Sequence, residues 1–416
     1  MTSPTRNPLA LALLGAVQLA ALFGDRLKQF SYIAMLGLYA PGSSFELLKL
    51  NLFAQVPMLL FSPLVGAMLD HWNRRSAIAG ACAVRAVLVF AFPLVFVRFD
   101  SLYVLYAAAF VLSTADLVFA PARAAVLPEV VPADRLLSAN AAFWTLGIVG
   151  ALAGFLVGGW LFDFRGWAWA FRVDALAYAA AAVLMAPLLL TAAGRAAPRP
   201  RAAPPRAREG LRALTRSVGD GARLIGRDRR IAISLVAQSS MFAVGGALSV
   251  IGIARIQEVA PATGTLFLGI IGSSLVAGLL AGSALAALFR RRQHPERTIS
   301  VSAMLCGVAI TGLGRTEGVV ALSIWAGLLG AAISPPFILT ETLVQRASPG
   351  EFYGRVFAAR EALVKVAYLG AAIVATAASA LVSKSAILVG MGLFLALLGV
   401  ALERTSWLRT DASPER

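Results

Sequence analysis

Charged side chains are scarce in this chain: Asp, Glu, Lys and Arg together make up 14% of its 416 residues, against roughly 25% in an ordinary soluble domain. With 59% hydrophobic residues alongside, the polar surface is too small to cover a water-facing protein of this length, which argues against a soluble enzyme. Cysteine is nearly absent. Cys82 and Cys306 both lie inside apolar runs, far apart in sequence, so no disulfide framework follows. The only histidines, His71 and His294, sit in charged loops with no Cys, His or carboxylate at ligand spacing, and no metal centre is expected. A nucleotide cradle, a nucleophile elbow and a helical His-Glu-x-x-His are missing as well, so the sequence predicts neither chemistry on a substrate nor a cofactor. Lysine is rare too: the 37 basic residues include only Lys28, Lys49, Lys365 and Lys384.

What is abundant is long apolar sequence. A bilayer core needs about 20 consecutive mainly apolar residues per helix, because in hydrocarbon every backbone N–H and C=O must be paired within its own segment. Breaks at polar clusters leave twelve such spans, at 8–38, 45–69, 77–97, 102–122, 141–162, 168–191, 231–254, 264–289, 298–313, 318–344, 356–382 and 385–403. The fold class expected is therefore an all-α membrane protein of twelve transmembrane helices in two six-helix bundles, 1–191 and 230–416, joined by a basic linker over 192–229. The first span follows Met1–Asn7 with no small-residue cleavage site after it, the pattern of a retained helix and not of a removed signal peptide.

The net charge of +16 would suggest nucleic acid in a soluble chain, but here the arginines cluster between spans and report topology. One set of connections carries Arg74 and Arg75, Arg123 and Arg135, eleven Arg between 195 and 230, Arg290, Arg291, Arg292 and Arg297, then Arg346 and Arg355. The opposite set holds fewer, Arg98, Arg165, Arg255, Arg315 and Lys384. The positive-inside rule puts the Arg-rich side and both termini in the cytoplasm, in a bacterial inner membrane. The linker opens with Pro198, Pro200, Pro204 and Pro205 among arginines, the composition of an exposed spacer. Further on, Leu211, Leu214, Val218, Ala222 and Ile225 recur at three- and four-residue steps, with Arg208, Arg212, Arg216, Arg223 and Arg227 off that stripe. That is the pattern of a helix lying on an anionic leaflet, with a solvated linker as the alternative.

The halves repeat. Gly66-Ala-Met-Leu-Asp70-His-Trp-Asn-Arg74-Arg75 ends span two, and Gly282-Ser-Ala-Leu-Ala286-Ala-Leu-Phe-Arg290-Arg291 ends span eight with the same Gly-to-Arg spacing, 216 residues later. Repeated halves are a common plan of secondary transporters. The first of these segments resembles the loop signature of the major facilitator superfamily. Phe119-Ala-Pro-Ala-Arg123, Arg135-Leu-Leu-Ser-Ala-Asn140 and Tyr353-Gly-Arg355-Val-Phe357 are similar to the branch that holds macrolide, multidrug and siderophore exporters, with lysophospholipid transporters as relatives. The resemblance implies a two-bundle transporter, with Gly66, Asp70, Arg74 and Arg75 acting as a latch on conformational exchange. Span five carries Gly147, Gly150, Gly154, Gly158 and Gly159, a small-residue face suited to close helix packing. Its Gly154-Phe155-Leu-Val-Gly158-Gly159 resembles an antiporter signature but has Phe155 where that pattern has Pro.

Ionisable groups at membrane depth cost about 2.5–3.5 kcal/mol each on insertion scales, so each is a site candidate. Span one supplies Gln18, Asp25, Lys28 and Gln29, with Asp25 and Gln29 one turn apart and Asp25 able to pair with Lys28. Phe23-Gly24-Asp25 is similar to the first helix of lysophospholipid transporters. Span two adds Asn51 and Gln55, span three Arg85, span four Asp116 with Arg123 seven residues on, and span eleven Glu361 and Lys365 at i,i+4. The last two pairings are open between structural and transport roles. Glu341 and Arg360 lie nearer helix ends, where snorkelling is cheap. Asp25 ranks first as the central carboxylate.

The expected function is alternating-access export of a hydrophobic or amphipathic small molecule, with a proton as coupling ion. The alternatives are lipid translocation of the lysophospholipid type and a non-transporting membrane sensor or docking protein. The partners expected are the lipid bilayer and the substrate, with no nucleic acid, and the chain is expected to be a monomer.

Overall fold

A computed structural model describes residues 8–69, 72–132, 135–190, 229–259, 264–288, 295–347 and 353–404. Twelve helices appear among them, and no strand. The first six are α1 (Pro8–Tyr39), α2 (Ser44–Leu69), α3 (Arg74–Phe99), α4 (Leu102–Val130), α5 (Leu136–Arg165) and α6 (Trp167–Leu189). In the second half α7 runs over Arg229–Ala247, widens into a π-helical turn at Leu248–Gly252 and resumes over Ile253–Val259. It is followed by α8 (Leu266–Leu288), α9 (Pro295–Arg315), α10 (Val319–Ala347), α11 (Tyr353–Ala378) and α12 (Lys384–Arg404). Ten of these are long and apolar enough to cross a membrane. Their outward faces stay apolar: Leu94, Val183 and Val366 are among many large hydrophobic side chains left exposed, as suits a lipid solvent.

Each expected span has its helix. The clearest difference is α4, which continues to Val130 through Pro121 and Pro128, where the sequence breaks the span at 122. A proline removes only its own N–H and strains one turn, which surrounding packing can absorb in a membrane helix. Sequence features set the ends of α3 and α4. Asn73 caps α3, its side chain accepting from the backbone N–H of Arg75 and Ser76, and Ser101 caps α4 by accepting from Tyr103. Between them Asp100 turns the chain in the left-handed region at φ 42°. The expected interfacial helix and the rest of the linker up to residue 228 lie outside the described residues.

Chain contacts divide the protein into two compact units, one mainly α1–α6 and the other mainly α7–α12. In the first, α1 packs against α5 and α6, and α3 against α4 and α6. The approach of α5 to α1 is very close. A Cβ at Gly150 would lie 3.0 Å from the Leu19 carbonyl oxygen, and one at Gly154 would lie 2.7 Å from that of Phe23. The glycine stripe thus sets α1 directly on the α5 backbone. In the second unit α9 packs on α12 and α10, and α7 on α11.

Candidate functional site

The charges of the first unit converge. Asp25 and Lys28 come from the middle of α1, Arg85 from α3, Asp116 from α4, and Asp174 and Tyr178 from α6. Lys28 Nζ donates to Asp116 Oδ2 at 2.8 Å and lies 3.7 Å from Asp25 Oδ1. Arg85 Nη1 bridges both acids, at 3.2 Å from Asp25 Oδ1 and 3.1 Å from Asp116 Oδ1. The Tyr178 hydroxyl donates to Asp25 Oδ1 at 2.5 Å. Arg85 is fully buried, which a guanidinium tolerates only when its charge and its faces are matched. Its Nε donates to the Ala81 carbonyl at 3.3 Å, and its plane lies 4.6 Å from the Tyr178 ring centroid and 5.0 Å from that of Phe119.

Accessibility within the cluster is uneven. The side chains of Asp25 and Asp116 are 24% and 32% exposed, whereas those of Lys28 and Arg85 are 7% and 0% exposed. The open edge of the cluster is therefore anionic, and its cations sit behind. Gly24 lets α6 come close at this level: a Cβ there would lie 2.7 Å from Asp174 Oδ1 and 3.1 Å from Cζ of Tyr178.

Other candidates fall elsewhere. Gln18 is buried, while Gln29 is exposed and accepts from Arg26 at 2.6 Å; the four-residue spacing does not bring it to the side of Asp25. Asp116 does not pair with Arg123, whose guanidinium instead lies 5.7 Å from the Phe143 ring. Lys28 and Arg85 reach Asp116 from neighbouring helices, a better-desolvated arrangement than a pairing two turns along one surface. Asn51 and Gln55 are half-buried on α2, and Lys365 is half-buried on α11. The side chains of Glu361 and Glu341 and the whole of Asp70 lie outside the described residues. Arg360, expected to snorkel, is buried in the second unit and donates from Nε to Gln238 Oε1 at 2.9 Å. Arg74 and Arg75 meet an acid the sequence reading passes over, Glu129 near the end of α4. Their closest approaches to it are 3.0 and 3.6 Å, and Arg75 also donates to the Leu188 carbonyl of α6 at 3.2 Å.

The sequence model described as Major Facilitator Superfamily matches residues 14–360. The chain belongs to the major facilitator superfamily. It is a multi-pass membrane transporter of that superfamily's fold. Among solved structures, a POT family transporter in complex with a thioalcohol-conjugated peptide superposes with a TM-score of 0.73 at 12% identity, over 97% of each chain. A nucleoside transporter gives 0.67 at 13% identity over 94% of this chain and 98% of its own. A bacterial homologue of the human drug peptide transporters gives 0.64 at 14% identity over 96% of both. At these identities the likeness is one of fold. A comparison with curated protein sequences finds no match.

Tyr178 and Asp174 are the superfamily member's cluster residues that sequence reasoning missed. Both carried a usable signal: an acid inside an apolar helix, with a tyrosine one turn on.

Proposed function

We propose that this transporter exports an amphipathic organic cation by alternating access, driven by a proton gradient, across a bacterial inner membrane with both termini cytoplasmic. The observation that carries the reading is the partly exposed carboxylate edge formed by Asp25 and Asp116, backed by the buried cations Lys28 and Arg85. An incoming cation replaces Lys28 or Arg85 as the counter-ion of a carboxylate, and a proton taken up within the cluster restores the original pairing. The two events exclude each other within one cluster, which is the requirement for exchange. A lysophospholipid would need an accessible cation for its phosphate, and here the cations are the screened groups. A sensor without transport gains nothing from four charges at this depth, each with its own insertion cost.

Inside-out proteoliposomes test the reading. Ethidium and tetraphenylphosphonium should accumulate only when a pH gradient is imposed, with lysophosphatidylethanolamine moving no faster than in protein-free vesicles. Gradient-independent movement of the lysolipid and none of the cations would replace this reading with lipid translocation. The topology is open to a thiol probe. A cysteine placed in the 192–229 segment should label only from the cytoplasmic face, and labelling from the periplasm would invert the assignment.

The loop between α2 and α3 is the proposed latch, and the contact of Arg74 with Glu129 supports it, since it ties the start of α3 to the end of α4. Arg74→Ala should slow turnover while leaving cation affinity unchanged. Stopped-flow transport set beside equilibrium binding would show this, and wild-type turnover would count against it.

A further inference from the structure

Asp174 is the one carboxylate of the first unit's cluster that takes part in no bond. It is fully buried on α6, and neither of its oxygens meets a hydrogen-bond donor among the described residues. The charged and titratable groups within electrostatic reach of it are Asp25, Lys28 and Tyr32 on α1, Arg85 on α3, Asp116 on α4 and Tyr178 one turn along its own helix. Beyond it, toward the start of α6, the rings of Tyr32, Phe92 and Phe171 pack together, Phe92 and Phe171 at 4.5 Å between centroids and Tyr32 and Phe171 at 5.8 Å. Gly24 closes the α1 side, with no room for a side chain against Oδ1.

The charges already balance without it. Asp25 and Asp116 offset Lys28 and Arg85, and all four are engaged in ion pairs with one another. An ionised Asp174 would add one negative charge with no donor to stabilise it, the costliest state for a desolvated group. A neutral carboxyl there lacks only a hydrogen bond, a smaller penalty than an unpaired buried charge. The neutral form wins by that difference. By contrast Asp25, the acid that ranks first in the sequence, receives Tyr178 and Arg85 and lies beside Lys28, so it is held as an anion by groups in place.

We infer that Asp174 is buried as the neutral acid and that its proton is the one exchanged for the substrate cation. When a cation takes over Asp25 or Asp116, Lys28 is released from that carboxylate. The ammonium can then turn to Asp174, whose O–H bond breaks to leave a carboxylate paired with Lys28. The proton departs to water at the accessible edge. One positive charge enters and one leaves, so the cluster's net charge is unchanged. Return of a proton to Asp174 frees Lys28 to reclaim its original partner and expel the cation. This rests on the proton-driven reading above.

Infrared spectroscopy reads the protonation directly and needs no substrate. The purified wild type at neutral pH should show the carbonyl band of a protonated carboxylic acid, and Asp174→Asn should lose it while Asp25→Asn keeps it. Absence of the band in the wild type, or its survival in Asp174→Asn, overturns the inference whatever the transport assays give. If Asp174→Asn does not reach the membrane folded, Gly24→Ala serves instead: its Cβ must displace the carboxyl, and the band should shift. In the proteoliposome assay Asp174→Asn should lose gradient-driven ethidium accumulation and retain downhill ethidium exchange. Full gradient-driven accumulation in that variant overturns the coupling role. Failure of the underlying proton-driven reading would show separately, as a wild type indifferent to the gradient.

Discussion

Arg85→Met should be the most damaging single substitution in the charge cluster, lowering stability by about 3–5 kcal/mol as expected when one member of a buried ion network is removed. The guanidinium is fully buried and bridges Asp25 to Asp116. Without it Lys28 alone must serve two carboxylates, and the Tyr178 and Phe119 rings lose the cation between them. Thermal unfolding in detergent would show a lowered midpoint, and cation transport should be lost. Adding Asp116→Asn should recover part of the stability, because the second change removes the charge left unpaired by the first. A single mutant as stable as the wild type would mean that the network holds nothing together.

Gly154→Val should be comparably severe for a different reason. Its Cβ would lie 2.7 Å from the Phe23 carbonyl oxygen and 3.1 Å from the Leu27 nitrogen, and backbone atoms inside a helix cannot step aside as a side-chain tip can. Overpacking of this kind costs about 1–3 kcal/mol, and the two further methyl groups of valine add to the strain. Phe23 and Leu27 bracket Asp25 on α1, so the displaced helix should also pull Asp25 and Lys28 off Arg85 and Asp116. The variant is expected to lose both thermal stability and transport. Gly390→Ala, where an added Cβ meets nothing within 4 Å, is the control and should gain up to about 1 kcal/mol from helix propensity.

The helices could be read from the sequence because the bilayer imposes a length and an apolar composition that no soluble context imitates. Their ends were less legible where local signals conflict, as at Pro121 and Pro128, which the packed bundle keeps inside α4. Single-helix spacing finds partners on one helix surface, so it could suggest the pair of Asp25 with Lys28 but not the capture of Asp116 by Lys28 and Arg85 from other helices. It also set Gln29 beside Asp25, although Gln29 faces outward to Arg26. Asp174 sits only two turns into α6, close to Arg172 and Trp167, among residues that suit an interface. Its burial depends on Gly24 across the helix pair, a relation between two helices that no one-dimensional pattern contains. Glu129 follows Pro128 at a helix end and gives no sign in sequence that Arg74 and Arg75 converge on it.

The central claim is that the cluster of α1, α3, α4 and α6 is where the cation binds and the proton competes. The most direct measurement is ethidium affinity of the purified protein at several pH values, in the wild type and in Asp116→Asn. Affinity in the wild type should fall as the pH is lowered, with each molecule bound releasing a proton, and Asp116→Asn should bind weakly at every pH. Binding that is unchanged by pH and by the loss of the Asp116 carboxylate would contradict the account.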